Sequence, residues 1–478
     1  MNYNYKESYI ANANDDFTIN NEEDIYNADV IREFVQRHKL EQLPRLQFLE
    51  DYYLNRNVDV LRPNRRAETD RNKADHRATH NYAKYISQFI VGYMTGNPIT
   101  ISHNDSNTQQ VIMDLNDFND ADSVNSQLSL DLSIYGRAFE VVYRNENDED
   151  KFLPLNPKNT FCVYNTDIER KMVAGIRYSN STDSDGKPLE RIEVYTNTKV
   201  CYYELMDGNY HLTDEQEHYY NEPQITEYVN DGFKQGDYEN VISLIDLYDS
   251  AQSDTANYMT DLNDAMLAII GNVDLTGDEA IKFKNANMIK VTPGMTASGG
   301  EGKTDVKYVY KEYDVNGSEA YKTRLENDIH KFTNTPDLND DNFAGAQSGE
   351  SMKYKLFGLD QKRATKERFF KRGLMKRYRL LFRMHNIVGN GLDHTDITVT
   401  FTPNLPKAIK ESVDVFTALQ GSISEKTLLS QLPFIDNPDE EAEQMKLERE
   451  ARQQELENAR SDIYDLTKVG VDNAKEKQ

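Results

Sequence analysis

The run Ala297-Ser-Gly-Gly-Glu-Gly-Lys303-Thr304 has the residue types of a phosphate-binding loop, with Ala where the first Gly belongs. Such a loop follows a buried strand and opens a helix, whose first amides hold the phosphates. Here the next residues, TDVKYVYKEYDV, alternate and predict a strand. The segment VISLID at Val241–Asp246 mimics the strand that presents a magnesium-binding Asp, but it lies upstream and inside a helical pattern. Residues 297–304 are therefore read as a hairpin tip, with an NTPase centred on Lys303 as the alternative. His76 and His80 have the i,i+4 spacing that grips zinc on a helix, yet Arg77 stands where the Glu of that motif belongs and no third ligand is evident. Asp183-Ser-Asp-Gly186 resembles the start of a calcium loop, but Ile192 occupies the place of its bidentate Glu, so a hairpin turn is expected. Acid pairs abound in so acidic a chain and do not by themselves mark general acid–base chemistry. No nucleophile elbow or Ser–His–Asp arrangement suggests itself. The expectation is no catalytic residue, no metal and no cofactor.

The charged residues that remain are organised by long elements. Of 478 residues, 81 are Asp or Glu and 55 are Lys or Arg, a formal net charge of -26. Against that background Ser348–Arg383 is exceptional. Phe370, Leu374, Tyr378, Leu381 and Phe382 recur at three- and four-residue steps, which gives a helix one apolar face. Lys362, Arg363, Lys366, Arg368, Lys371, Arg372, Lys376, Arg377 and Arg379 fill much of the rest, with Ser348 as expected N-cap. A second helix is predicted over Asn240–Ile270, with Asp246, Asp249, Asp254, Asp261 and Asp264 opposite its apolar residues. Between a third helix, carrying Tyr321, Leu325, Ile329 and Phe332, and the basic one lies Asp337–Gln347, long for a helix–helix connection.

The length suggests two to four domains. Helix is expected over residues 25–56 and from about Asp75 to Met94. Leu128–Tyr143 should pass from helix through Gly136 into a strand, and Phe152–Tyr228 reads as a meander of period two. Residues 273–313 look like a small α/β insert with strands near Met288–Val291 and Val306–Tyr310. One strand is expected at Ile397–Phe401, and helix from Lys407 onward. Cys162 and Cys201 form no disulfide framework, which fits a reducing compartment. No apolar run is long enough to span a bilayer, and the N-terminus lacks the pattern of a signal peptide. Synthesis in a cytoplasm without export is expected, and no membrane partner. The acidic excess argues against adhesive nucleic-acid binding, because DNA-binding domains show a basic footprint.

Four segments in order carry a resemblance: YMTGNPI at Tyr93–Ile99, SIYGRAFEVVY at Ser133–Tyr143, EYVNDGFKQGDYENVISLIDLYDSAQSD at Glu227–Asp254, and MKYKLFGLDQKRATKERFFKRGL at Met352–Leu374. Together they resemble the portal proteins of tailed bacteriophages of Gram-positive hosts. The resemblance implies an α+β, multidomain portal fold: a helical stem and crown, a mixed wing with antiparallel strands, and a small α/β clip. It assigns a tail to residues 1–24, the wing to 25–239 and 390–406, and stem helices to 240–270 and 317–333. The clip is 271–316, the tunnel loop 334–347, a long helix joining stem, wing and crown 348–389, and the crown 407–478. It implies a non-enzymatic ring of about twelve copies at one capsid vertex, assembled in the host cytoplasm and carried in the virion. Double-stranded DNA would pass through it during packaging and ejection. Its partners would be the terminase large subunit, head-completion or adaptor proteins, and the major capsid and scaffold proteins. The alternatives are a packaging NTPase or a capsid or scaffold component without a channel.

The resemblance also implies site residues. Asp337, Asn339, Asp340, Asp341, Asn342 and Gln347 belong to the tunnel loop. Asp246, Asp249, Asp254, Asp261 and Asp264 form an acidic stripe facing the channel or its lower mouth. Lys366, Arg368, Lys371, Arg372, Lys376 and Arg377 on the basic helix meet acidic wings or crowns of neighbouring subunits, or alternatively reach the DNA.

Overall fold

The computed structural model describes residues 13–62, 74–182, 186, 188–206, 208–261, 266–270, 282, 288–291, 305–309, 314–337, 354–387, 389, 391–404, 416–429, 441–442 and 444–453. Two compact units emerge, one from Met1–Ala344 with Lys355–Asn404, the other from Gly345–Tyr354 with Leu405–Gln478.

The first unit begins with strand β1 (Phe17–Ile19), a 3-10 turn, helix α1 (Ala28–Arg37), a π-helical turn at His38–Gln42, α2 (Leu43–Tyr53) and the single turn α3 (Val58–Leu61). The expected helix over 25–56 is thus interrupted; Pro44, at the start of α2, is tolerated only in a first helical turn. Then come α4 (Tyr82–Thr95), β2 (Thr100–Ser102), α5 (Ser106–Phe118) and α6 (Ala121–Tyr135). Asn27, Asn81 and Asp105 cap α1, α4 and α5 by accepting from the amides of Asp29, Lys84 and Thr108. Each such cap is worth about 1 kcal/mol. Gly136 ends α6 at φ 77, where any Cβ would strike the backbone of Lys234.

The meander is present: β3 (Arg137–Arg144), β4 (Asp150–Leu155), β5 (Thr160–Asn165), β6 (Met172–Thr182), β7 (Pro188–Tyr195), β8 (Lys199–Met206), β9 (Asn209–Glu217) and β10 (Ile225–Val229). A six-stranded sheet runs β1-β5-β6-β7-β8-β9, antiparallel but for the β1–β5 pair. Its core joins Phe17, Phe34, Phe161, Ile176 and Ile192. A three-stranded sheet, β10-β3-β4, lies between layers, so β3 is buried along most of its length.

Helix α7 (Ile242–Asp261) is shorter than the expected 240–270. Met266–Ile270 is strand β11, paired parallel to β12 (Met288–Val291) and antiparallel to β13 (Asp305–Val309). MLAII is a short apolar run that fits helix or strand equally well; strands on both flanks decide it. Helix α8 (Val315–Thr333) returns along α7, with Lys322 Nζ 3.2 Å from Gln252 Oε1 and Asn240 Nδ2 3.3 Å from the Phe332 carbonyl.

The long helix α9 (Phe357–Ile387) crosses β10 and β3. Phe370, Leu374, Tyr378, Leu381 and Phe382 all pack in one core with Leu128, Leu132, Phe152 and Tyr228, as their spacing predicts. Full burial of such a side chain contributes about 1.5–3 kcal/mol. Gly373 lets β10 approach, because a Cβ there would sit 2.2 Å from the Tyr228 ring. Strand β14 (Thr398–Thr400) pairs antiparallel with β2. The chain mixes helices and mainly antiparallel strands, an α+β composition. In the second unit, α10 (Glu425–Leu429) buries Leu428 and Leu429, and residues 444–453 are helical. No helix of the described residues is long and apolar enough to cross a membrane.

Candidate functional site

The basic residues of α9 divide into two sets. Most find a carboxylate or carbonyl within the same chain. Asp237, wholly buried, receives Lys366 Nζ at 2.6 Å and Lys362 Nζ at 3.2 Å. Glu140, equally buried, takes Arg377 through both carboxylate oxygens, at 2.5 and 3.0 Å. Glu222 takes Arg379 at 2.7 Å and Arg383 at 2.8 Å. Lys376 donates to the Ile225 carbonyl at 2.8 Å, and burial pushes its ammonium down to about 8. Arg363 is held by Asp360 and Glu367 of its own helix. Lys366, Lys376 and Arg377 are therefore not free for DNA or a neighbouring subunit, contrary to expectation. Their partners, Asp237, the Ile225 carbonyl and Glu140, belong to their own chain.

The second set is Arg368, Lys371 and Arg372. All three are exposed, and none makes an ion pair among the described residues. Arg372 lies over the Phe369 ring at 5.2 Å.

The expected acidic stripe on α7 also divides. Residues 74–80 do not extend α4 but run as an extended segment along α7. The amide of His80 reaches Asp249 Oδ1 at 2.9 Å, that of Ala78 reaches Ser253 Oγ at 3.0 Å, and that of His76 reaches Asn257 Oδ1 at 2.5 Å. The match has a simple metric origin. Four helical residues advance about 6.0 Å, and two extended residues about 6.6 Å. Every second amide of the segment, unpaired otherwise, thus meets every fourth side chain of the helix. Asp249 is consumed by this ladder: it is 0% exposed and also meets His80 Nδ1 at 2.8 Å and the Asn57 amide. Asp246 is half-buried and accepts from Tyr52 Oη at 2.5 Å. Burial, with Asp59 and Asp249 nearby, pushes its carboxyl up to about 7. Neither belongs to an open acidic face. Asp254 is exposed; the side chain of Asp261 and all of Asp264 lie outside the described residues.

Of the expected tunnel loop, Asp337 is described and half-buried, while Asn339, Asp340, Asp341, Asn342 and Gln347 lie outside the described residues, as does Ser348. Residues 297–304 and 183–185 are also outside them. The phosphate-loop look-alike runs directly into strand β13, so the strand–loop–helix order that a phosphate site needs is not formed. His76 Nε2 meets Thr260 Oγ1 at 2.8 Å, and His80 is committed to Asp249. The two side chains are thus engaged with separate partners on α7. Cys162 and Cys201 are buried free thiols.

Two further features emerge from the way α7 and α8 pack. The α7–α8 hairpin leaves Leu247, Met259, Val315, Tyr321 and Phe332 each about half exposed, between 46% and 53%. Tyr321 and Phe332 belong to the same sequence pattern as Leu325 and Ile329, yet only the latter pair is buried. Glu326, His330 and Asp337 draw together at the end of α8. The i,i+4 spacing of the first two was a legible signal; the return of Asp337 was not.

A family model described as phage portal protein, SPP1 Gp6-like, matches residues 32–455. The chain is 22% identical over 394 residues to the portal protein of Bacillus phage SPP1, covering 78% of this chain and 76% of that one. It is 25% identical over 427 residues to the portal protein of Clostridium phage phiCD119, covering 84% and 91%.

Proposed function

This chain belongs to the SPP1 Gp6-like family of phage portal proteins, and from that membership we propose how its parts serve a DNA conduit. Its function is that of a portal, a structural and non-enzymatic component of the virion that oligomerises as a ring. The family match across residues 32–455 carries this reading. The finer reading is a ring of about twelve subunits at one capsid vertex, assembled in the host cytoplasm, with α7 and α8 as stem helices and β11–β13 in the clip. The terminase large subunit, head-completion or adaptor proteins, and the capsid and scaffold proteins are its proposed partners.

Charge supports a passage rather than a grip. B-DNA carries about one negative charge per 1.7 Å, and each neutralised phosphate strengthens binding. A net charge of -26, with most cations of α9 paired inside the subunit, leaves few to hold the duplex. The proposed acidic and neutral lining is Asp254, Asp261 and Asp264, with the tunnel loop contributing Asp337, Asn339, Asp340, Asp341, Asn342 and Gln347. In a packaging assay, Asp340→Lys with Asp341→Lys is expected to slow DNA entry; an unchanged rate would place the loop away from the bore. Arg368, Lys371 and Arg372 are assigned to acidic surfaces of neighbouring subunits.

The half-exposed apolar residues of α7 and α8 support ring closure, since exposed apolar surface on a helical hairpin favours a partner. Native mass measurement of the purified chain should give a closed ring of about twelve copies. Leu247→Asp with Phe332→Asp should shift it to monomer while leaving the circular-dichroism melt in place. A wild-type chain that stays monomeric under assembly conditions would overturn the reading.

A further inference from the structure

Three side chains of metal-ligating type meet where α8 ends. Glu326 and His330 stand one turn apart on one face of the helix. The helix stops at Asn334, whose φ is 57, and the chain turns back to bring in Asp337. One ligand atom from each of the three lies within 4.8 Å of the other two. All three residues are half-buried.

The return of the chain is fixed by its own bonds. The Thr335 amide donates to the His330 carbonyl at 3.1 Å, and the Thr333 and Thr335 hydroxyls lie 2.6 Å apart. Tyr85 Oη donates to the Pro336 carbonyl at 2.9 Å, directly before Asp337. The imidazole is oriented too. His330 Nδ1 lies 3.1 Å from the Thr335 carbonyl. A carbonyl only accepts, so Nδ1 carries the proton and the lone pair sits on Nε2. Holding a ligand His by a backbone carbonyl on its other nitrogen is how proteins prepare metal ligands. The rings of Tyr82 and Tyr85 stand edge-on to the imidazole at 6.2 and 5.6 Å. An aromatic wall and an orienting carbonyl thus flank the cluster.

We propose that Glu326, His330 and Asp337 form a binding site for a divalent first-row transition-metal ion, which fastens the segment after α8 to the helix itself. One imidazole and two carboxylates suit zinc, with a position left open for water, at bonds of about 2.0–2.2 Å. Magnesium prefers an all-oxygen octahedron and keeps its waters. The three ligand atoms already lie within 4.8 Å of one another, against the roughly 3.4 Å that tetrahedral bonds of that length imply. The site does not depend on the portal reading, and a chain with another role would bind the ion equally.

The test is calorimetric titration of the chelator-treated full chain with Zn2+, and separately with Mg2+. The expected result is one saturable Zn2+ site per chain that excess Mg2+ does not displace. His330→Gln and Asp337→Asn should each weaken it at least tenfold. Co2+ should give a visible d–d absorption that both variants lose. Asp337 lies beyond the helix, so Asp337→Asn leaves α8 intact, and an unchanged melt of the metal-free variant separates loss of a ligand from loss of fold. Absence of saturable Zn2+ binding, or binding that both variants retain, would overturn the proposal.

Discussion

Arg377→Met is expected to cost about 3–5 kcal/mol of stability, the range for breaking a buried ion pair from one side. Arg377 and Glu140 are both 0% exposed. The guanidinium gives two bonds to Glu140, a third to Asn125 Oδ1 at 2.9 Å, and lies 4.3 Å over the Phe152 ring. Methionine fills much of the same space, so the loss is chiefly electrostatic. Glu140 would keep only the Tyr228 hydroxyl, at 2.9 Å, and an unpaired carboxylate in that core must take up a proton or admit water. Urea unfolding at neutral pH checks the magnitude. The double variant with Glu140→Leu should recover much of the loss, because replacing both members of a buried pair by apolar groups is often neutral. A single variant losing under about 1 kcal/mol would show that the pair is solvated, against the burial described.

Lys366→Met should cost somewhat less, about 2–3 kcal/mol, since Lys362 remains beside Asp237. Burial alone would raise the Asp237 carboxyl; Lys362 and Lys366 overcome it and hold the group well below the usual carboxylate range. Burial also lowers the Lys366 ammonium, which trims the net gain. A carboxyl depressed in the folded state stabilises fully above its unfolded value, about 3.9, and that contribution is lost as pH falls through the folded one. The gap between wild type and Lys366→Met should therefore be widest near neutrality and begin to narrow only in acid, below about pH 4. Paired melts at pH 7 and pH 3 measure it. A gap that is constant with pH would assign the loss to packing instead.

Both effects bear on what could be read from the amino-acid order. The apolar stripe of α9 is a local signal and appeared as predicted, and so did Gly136 between α6 and β3. The cations of the same helix were equally plain, but their partners were not. Asp237 and Glu140 lie 129 and 237 residues away from Lys366 and Arg377, and no local period points to them. The aspartates of α7 misled for a related reason. Asp249 has the spacing of a solvated face, and only residues 74–80, lying extended against it, turn it inward. Met266–Ile270 was ambiguous because five apolar residues suit either structure and their sheet partners come later in the chain.

The distance between Glu140 and Arg377 also sets an order of events during synthesis. At about 5–20 residues per second, the carboxylate leaves the ribosome roughly 10–50 seconds before the guanidinium that neutralises it. Asp237 waits for its lysines in the same way, and β2 for β14. A nascent chain that stops short of α9 carries buried acids without counter-charges, so the amino-terminal part cannot settle into its final packing early. The packing of this unit is therefore expected to complete only after α9 has been made.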